Sequence, residues 1–291
     1  MRTGSNIVLW SGGEMKVGDV MTEDIQAITV PGNRDDAIES FKKLEVSALP
    51  VLKKDTGELI GLVRLRDLFE NPDENQLAML VNRDIITVSP DQSLEDAARL
   101  MLLNKIRRLP VVKNGELNGI ITVRDILARV ILEKEVETPV SECMQRRVPS
   151  VWQNTPLNVA LEILHLSGER ALPVLDNNAE LSGMIGDEDI IEVSEVKEEE
   201  KMGLLRGGSE TDKWAWDSED RIYITKRSLK PPEKTVKEVM TKELLTVTKR
   251  APVNKCARLM EENNVNQILV TAGKRLEGMV SDEDLLKALT E

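Results

Sequence analysis

Gly119-Ile120-Ile121-Thr122-Val123-Arg124-Asp125 reads as an apolar strand that leaves a glycine and reaches a hydroxyl. Three residues later comes a carboxylate, which opens the amphipathic run Ile126-Leu127-Ala128. The same order recurs as Gly61-Leu62-Val63-Arg64-Leu65-Arg66-Asp67, as Gly183-Met184-Ile185-Gly186-Asp187-Glu188-Asp189 and as Gly278-Met279-Val280-Ser281-Asp282-Glu283-Asp284. Internal repetition settles the fold before any local propensity does.

Working outward, each signature follows a turn (Asp55-Thr56-Gly57, Asn114-Gly115, Asn177-Asn178, Ala272-Gly273) and, before that, a strand expected to be buried: Ala48–Val51, Leu109–Val112, Ala171–Val174 and Ile268–Val270. A helix precedes each of these strands. Its apolar stripe is Ala37, Ile38, Phe41 and Leu44 in the first copy, and Leu94, Ala97, Ala98, Met101 and Leu102 in the second. The later copies have Leu157, Ala160, Leu161 and Leu164, then Val253, Cys256, Ala257 and Met260. Ser93 and Asp96 have the spacing of a capping box. Pro31, Pro90, Pro156 and Pro252 separate each helix from a short β-branched strand: Ala27–Val30, Ile85–Val88, Pro149–Val151 and Leu244–Val247. Lead-in segments around Met21-Thr22, Asn82-Arg83, Met144-Gln145 and Met240-Thr241 open the copies.

The unit is β-α-β-β-α, so the fold class is α/β in the α+β sense. A unit of about sixty residues carries too small a sheet to be stable alone. Copies one and two are therefore expected to pair, as are three and four. The boundaries read as an extension 1–14, repeats 15–76, 77–136 and 137–193, an inserted linker 194–233, and a last repeat 234–291. The acidic run Val196–Lys201 reads as a solvated helix end or linker, and Arg221–Thr225 alternates like a strand. Trp214, Trp216 and Tyr223 in this insert are candidates for a protein-docking patch, or for side chains that plug a surface gap.

Lys and Arg number 39 against 51 Asp and Glu, a formal net charge of -12. General attraction to nucleic acid or to an anionic membrane is not expected, and an anionic ligand would need a local basic pocket. With no signal-like or membrane-length apolar run, the expected location is the cytoplasm. Cys143 and Cys256 read as reduced, packed thiols, and His165, the single histidine, as a helix-face residue.

A strand-to-helix junction offers unpaired amides to a phosphate. A carboxylate three residues on can accept bonds from both hydroxyls of a ribose. Asp is also a common residue at a helix start, so capping is the alternative for any one copy. Arg107-Arg108, before Leu109-Pro110, could supply the cations that a phosphate needs; ordinary surface charge is the alternative. No nucleophile-base pair, metal cluster or P-loop is present, so no enzymatic activity is expected.

These four co-ordered repeats resemble the cystathionine-β-synthase (CBS) domain family across nearly the whole chain. The resemblance implies two paired-repeat modules, similar to the γ subunit of AMP-activated protein kinase and its microbial stand-alone relatives, packed as a disc. It implies a regulatory adenine-nucleotide binder with AMP, ADP or ATP held in clefts. Asp125, Asp284, Asp67 and Asp189 would hold ribose. Thr122, Ser281, Arg107, Arg108, Arg170 and Arg64 would contact phosphate, and an adenine slot would lie at Ile86, Thr87 and Val88. The hydroxyl-x-x-Asp motif is complete only at Thr122/Asp125 and Ser281/Asp284, which predicts graded occupancy. S-adenosylmethionine or another adenosyl ligand is the alternative ligand, and a scaffold acting through Trp214/Trp216 the alternative function. A homodimer is compatible with the sequence.

Overall fold

The computed structural model describes residues 15–44, 46–133, 137–205 and 220–290. Repeat 1 contains β1 (Ile28–Val30), α1 (Arg34–Leu44), β2 (Ala48–Lys53), β3 (Leu59–Arg64) and α2 (Leu65–Glu70). Repeat 2 contains α3 (Leu77–Leu80), α4 (Leu94–Asn104), β4 (Arg108–Lys113), β5 (Glu116–Thr122) and α5 (Val123–Glu133). Repeat 3 contains β6 (Val151–Trp152), α6 (Leu157–Ser167), β7 (Ala171–Leu175), β8 (Leu181–Gly186) and α7 (Asp187–Val193). The insert forms β9 (Glu195–Leu205) and β10 (Asp220–Lys230). Repeat 4 contains α8 (Val236–Val239), β11 (Thr246–Val247), α9 (Val253–Glu262), β12 (Gln267–Ala272), β13 (Arg275–Ser281) and α10 (Asp282–Thr290).

In repeats 1, 3 and 4 a short strand runs parallel to the middle strand, which is antiparallel to the last. Repeat 2 departs from this expectation. Ile85 donates back to the Arg83 carbonyl in a local turn, so only Val88 joins β4, as a single parallel bridge to Val111. The helix stripes are buried where the periodicity placed them. Leu94, Ala97, Ala98 and Met101 are at most 1% exposed, and Ser93 caps α4 by accepting from the Asp96 amide.

The repeats pair by exchanging their lead-in segments. Thr22, from repeat 1, forms two backbone bonds of 2.9 and 3.0 Å with Ile120 on the last strand of repeat 2. Asn82, from repeat 2, does the same with Leu62 of repeat 1 at 2.8 and 3.0 Å. Repeats 3 and 4 repeat the exchange through Gln145–Met279 and Thr241–Met184. This crossing explains the glycine that opens each signature. A Cβ at Gly119 would lie 2.6 Å from the Thr22 carbonyl oxygen, and one at Gly61 would lie 2.1 Å from that of Asn82.

Apolar continuity runs between the modules, and each core also takes in the exchanged lead-in residues of the paired repeats, such as Val17 and Leu80. One core joins repeats 2 and 4, including Leu94, Met101, Ile126, Val253, Met260 and Leu285. The other joins repeats 1 and 3, including Phe41, Leu68, Leu157, Leu164 and Ile190. Helix α5 packs on α9 and α10, while α7 packs on α1 and α2.

The insert corrects the reading of Val196–Lys201 as a linker or helix end. These residues lie in β9, which pairs with β10 along its whole length. The partner strand favours this pairing, because Arg227 stands opposite Glu198 and pairs with it at 2.9 Å. The base of this ribbon reaches repeat 1. Leu229 and Ser228 are buried, the Leu229 amide donates to the Pro72 carbonyl at 2.9 Å, and Arg227 pairs with Asp35 at 3.0 Å. Arg34, itself fully buried, donates to the same carbonyl. Tyr223 lies in β10, whereas Trp214 and Trp216 fall outside the described residues.

Both cysteines are free, and burial pushes each thiol up to about 11. The His165 ring packs 6.3 Å from that of Phe69. Among the described residues no group of His, Cys, Asp and Glu is placed to hold a metal, and no helix is long and apolar enough to cross a membrane.

The exchange makes Gly119 a stability determinant. Gly119→Ala should destabilise the chain by about 1–3 kcal/mol in denaturant titrations, because the added methyl overpacks against backbone. Gly57→Ala, in an open turn at φ +71°, should lose less, about 1 kcal/mol.

Candidate functional site

All four signature helices start alike. One carboxylate oxygen (Oδ2) of Asp67, Asp125, Asp189 and Asp284 accepts the backbone amide three residues earlier, at 2.7, 2.7, 2.8 and 2.9 Å respectively. The residue before the middle strand holds the first helical amide. Its carbonyl accepts at 3.2 Å in Ser47, 2.9 Å in Arg107, 3.4 Å in Arg170 and 3.0 Å in Asn266. Capping is therefore a real role for every one of these acids, worth about 1 kcal/mol each. It uses one oxygen.

The other oxygen separates the sites. In repeat 1 the Arg64 guanidinium folds onto Asp67, with Nη2 at 2.6 Å and Nε at 3.1 Å from Oδ1. In repeat 3 the Thr241 hydroxyl, brought over by the exchanged lead-in, donates to Asp189 Oδ1 at 2.9 Å. Both oxygens of Asp67 and Asp189 thus already accept a bond within the chain, and the Arg64 guanidinium is paired with the acid of its own repeat. In repeats 2 and 4 the hydroxyls of Thr122 and Ser281 donate to the oxygen already taken, each at 2.7 Å. Oδ1 of Asp125 and of Asp284 accepts nothing from the described residues. The same geometry pairs each of the two hydroxyls with the carboxylate of its own repeat.

Asp125 borders a cavity of about 330 Å³ lined by Met15, Asp19, Val20, Ala128 and Arg129. Asp19 and Val20 belong to the lead-in of repeat 1, delivered here by the exchange. The exchange also determines where the segment expected as an adenine slot lies. The segment before Ile86 crosses to the Asp67 strand, and Val88, 2% exposed, packs into the core that joins repeats 2 and 4. A second cavity of about 250 Å³ is lined by Arg146, Val148, Leu175, Ala179 and residues 275–278, without Ser281 or Asp284.

The cations also divide. Arg107 is buried and paired with Asp282 of repeat 4, so it joins the modules and does not reach a cleft. Arg108 stands opposite Thr122 in the sheet and donates to the Ser47 hydroxyl at 2.9 Å. Burial pulls its guanidinium below the usual range, opposed by Glu188, while Arg124 and Arg64 add to the lowering. Arg170 lies 3.9 Å from Glu283.

The residues between hydroxyl and Asp differ in sign between the modules. They are Leu65-Arg66 and Val123-Arg124 in one module, and Asp187-Glu188 and Asp282-Glu283 in the other. Arg66 donates to the Glu169 carbonyl at 3.0 Å, and Arg124 to Asn264, each across the module interface. The alternation of sign was visible in the chain, but its meaning depends on which repeats face each other.

The match to known families follows this architecture. The CBS domain model matches residues 17–74, 77–132, 140–195 and 236–291. The chain belongs to the CBS domain family. Among CBS relatives, the uncharacterised protein MJ1225 of Methanocaldococcus jannaschii is 31% identical over 192 residues, covering 60% of this chain and 68% of that one. The crystal structure of MJ1225, described as a proposed archaeal homologue of the AMP-activated protein kinase γ subunit, has a TM-score of 0.76 at 15% identity, covering 94% of this chain and 99% of that one. A conserved protein from Pyrococcus horikoshii has a TM-score of 0.60 at 29% identity, covering 94% and 100% of the two chains.

Asp187 gives the interface a pH dependence. Burial pushes its carboxyl up to about 6, with Glu188 and Glu70 adding to the rise and Arg66 and Arg170 opposing it. The folded state thus holds this proton more tightly than the unfolded chain, so the stability it contributes is present in acid and lost as pH rises through about 6. Asp187→Asn should stabilise the protein by about 2 kcal/mol at neutral pH and by almost nothing near pH 4, read as the shift in urea midpoint at the two pH values.

Proposed function

We propose that this CBS protein is a non-enzymatic regulatory binder of adenosine-containing ligands, with AMP, ADP or ATP as the nucleotides it senses. The observation that carries the reading is the unoccupied Oδ1 of Asp125 and Asp284, each at the head of a capped helix within an exchanged pair of repeats. A carboxylate oxygen left open there can accept from ribose hydroxyls, and Arg108, opposite Thr122 in the sheet, would supply a cation to the phosphate. Because each cleft is built from two repeats, a ligand that fits one arrangement of the pair better than another shifts the population of arrangements, which is what a sensor needs. The cytoplasm as location, and action on a protein partner, belong to the same proposal. The catalytic alternative has no support among the described residues: both thiols are raised out of the nucleophilic range, and the single histidine is packed against Phe69.

Isothermal titration with AMP tests the assignment. Charge-assisted hydrogen bonds of about 1.5–3 kcal/mol imply that Asp125→Ala combined with Asp284→Ala weakens AMP binding at least tenfold. Asp67→Asn combined with Asp189→Asn should leave it unchanged. The reverse pattern, or equal losses, would remove the assignment.

A further inference from the structure

The relation between repeats allows the two open clefts to be compared position by position; the comparison rests on Asp125 and Asp284 being ribose anchors. The strand residue opposite the hydroxyl is Arg108 facing Thr122 in one cleft and Gln267 facing Ser281 in the other. The first two helical residues are Val123-Arg124 in one and Asp282-Glu283 in the other. Ahead of the middle strand of the paired repeat stand Val46-Ser47 in the first case and Glu169-Arg170 in the second. The first two differences make the Thr122 cleft the more positive, even with Asp282 paired to Arg107, whereas the third, with Glu169 beside Arg170, carries no net charge.

Beside Thr122 lie Arg108 and Arg124 with Arg64 close by, against Glu188; Arg129 and Asp19, of opposite sign, line the adjoining cavity. Beside Ser281 lie Glu283 and Glu169 with the ribose acid itself, against Arg170 and Lys105. Arg170 is drawn to Glu283 at 3.9 Å, and Gln145 reaches Asp284 at 3.5 Å. The crowding has a measurable consequence: the Glu169 carboxyl is raised by burial first and then by Asp284 and Glu283. A phosphate placed there would add to a cluster that already resists ionisation, whereas one beside Arg108 and Arg124 would meet planar donors suited to it.

We propose that the two clefts select opposite charge at the 5′ end of the same nucleoside. The Asp125 cleft holds an adenosine phosphate, and the Asp284 cleft holds an adenosyl compound whose 5′ substituent is neutral or cationic, a thioether or a sulfonium. One chain then reads two adenosyl pools, through sites whose helices meet across the module interface.

Equilibrium dialysis of the full chain tests this with AMP, S-adenosylmethionine and adenosine as probes. Asp125→Ala should weaken AMP binding at least about tenfold and leave S-adenosylmethionine unaffected, and Asp284→Ala should do the opposite. Because an alanine at a helix cap can cost folding, two further variants at partly exposed positions carry the same test. Arg124→Gln should weaken AMP severalfold without changing adenosine, and Glu283→Gln should weaken S-adenosylmethionine severalfold. If Asp125→Ala and Asp284→Ala each reduce AMP and S-adenosylmethionine alike, the charge selection is overturned while the ribose anchors stand. If adenosine binds wild type and both variants equally, or binds none of them, the ribose anchors fall, and this inference with them.

Discussion

A guanidinium and a carboxylate, Arg107 of one module and Asp282 of the other, are buried against each other between repeats 2 and 4. Much of the molecule depends on that contact. The Arg107 carbonyl holds the first amide of α5, the helix that carries Asp125, while its side chain holds the first residue of α10, the helix that carries Asp284. Two sites in different modules are therefore seated on one residue. Removing one partner of such a pair leaves a buried charge without compensation, a cost of about 3–5 kcal/mol, whereas the intact pair adds little to stability beyond well-packed apolar side chains. Its value lies in specifying which surfaces meet.

The same logic extends across the interface. Module 1 presents Arg66, Arg107, Arg108 and Arg124, and module 2 presents Asp187, Glu188, Asp282 and Glu283. Apolar cores shared by repeats 1 and 3, and by 2 and 4, supply the main attraction. Two copies of the same module would offer similar apolar faces but would set like charges together, so the charges select the unlike module. Asp187, with a buried oxygen that has no hydrogen-bond partner among the described residues, marks where this selection costs stability.

Much of this was legible in the chain. The four signatures, the helix stripes and the capping role of Ser93 follow from periodicities of 3.6 and 2 and from turn chemistry, which act over a few residues. Three features could not be read that way. The exchange of lead-in segments joins Thr22 to Ile120 across almost a hundred residues, and it sets the segment before Ile86 beside the strand that leads to Asp67. The strand β9 looked like a solvated run of glutamates because its partner strand, with Arg227 opposite Glu198, comes later in the chain. Arg107 looked like a phosphate ligand because the acid that claims it is in another module.

What distinguishes the four sites is also nonlocal in one case and local in the other. Arg64 covers Asp67 from three residues away, while Thr241 covers Asp189 from the paired repeat. Both leave Asp125 and Asp284 as the carboxylates with an oxygen to offer, so the central claim is that this chain has two adenosyl sites and not four. Native mass spectrometry of the intact chain saturated with adenosine measures that number most directly. The account predicts two molecules bound per chain; four equivalent molecules, or none, would contradict it.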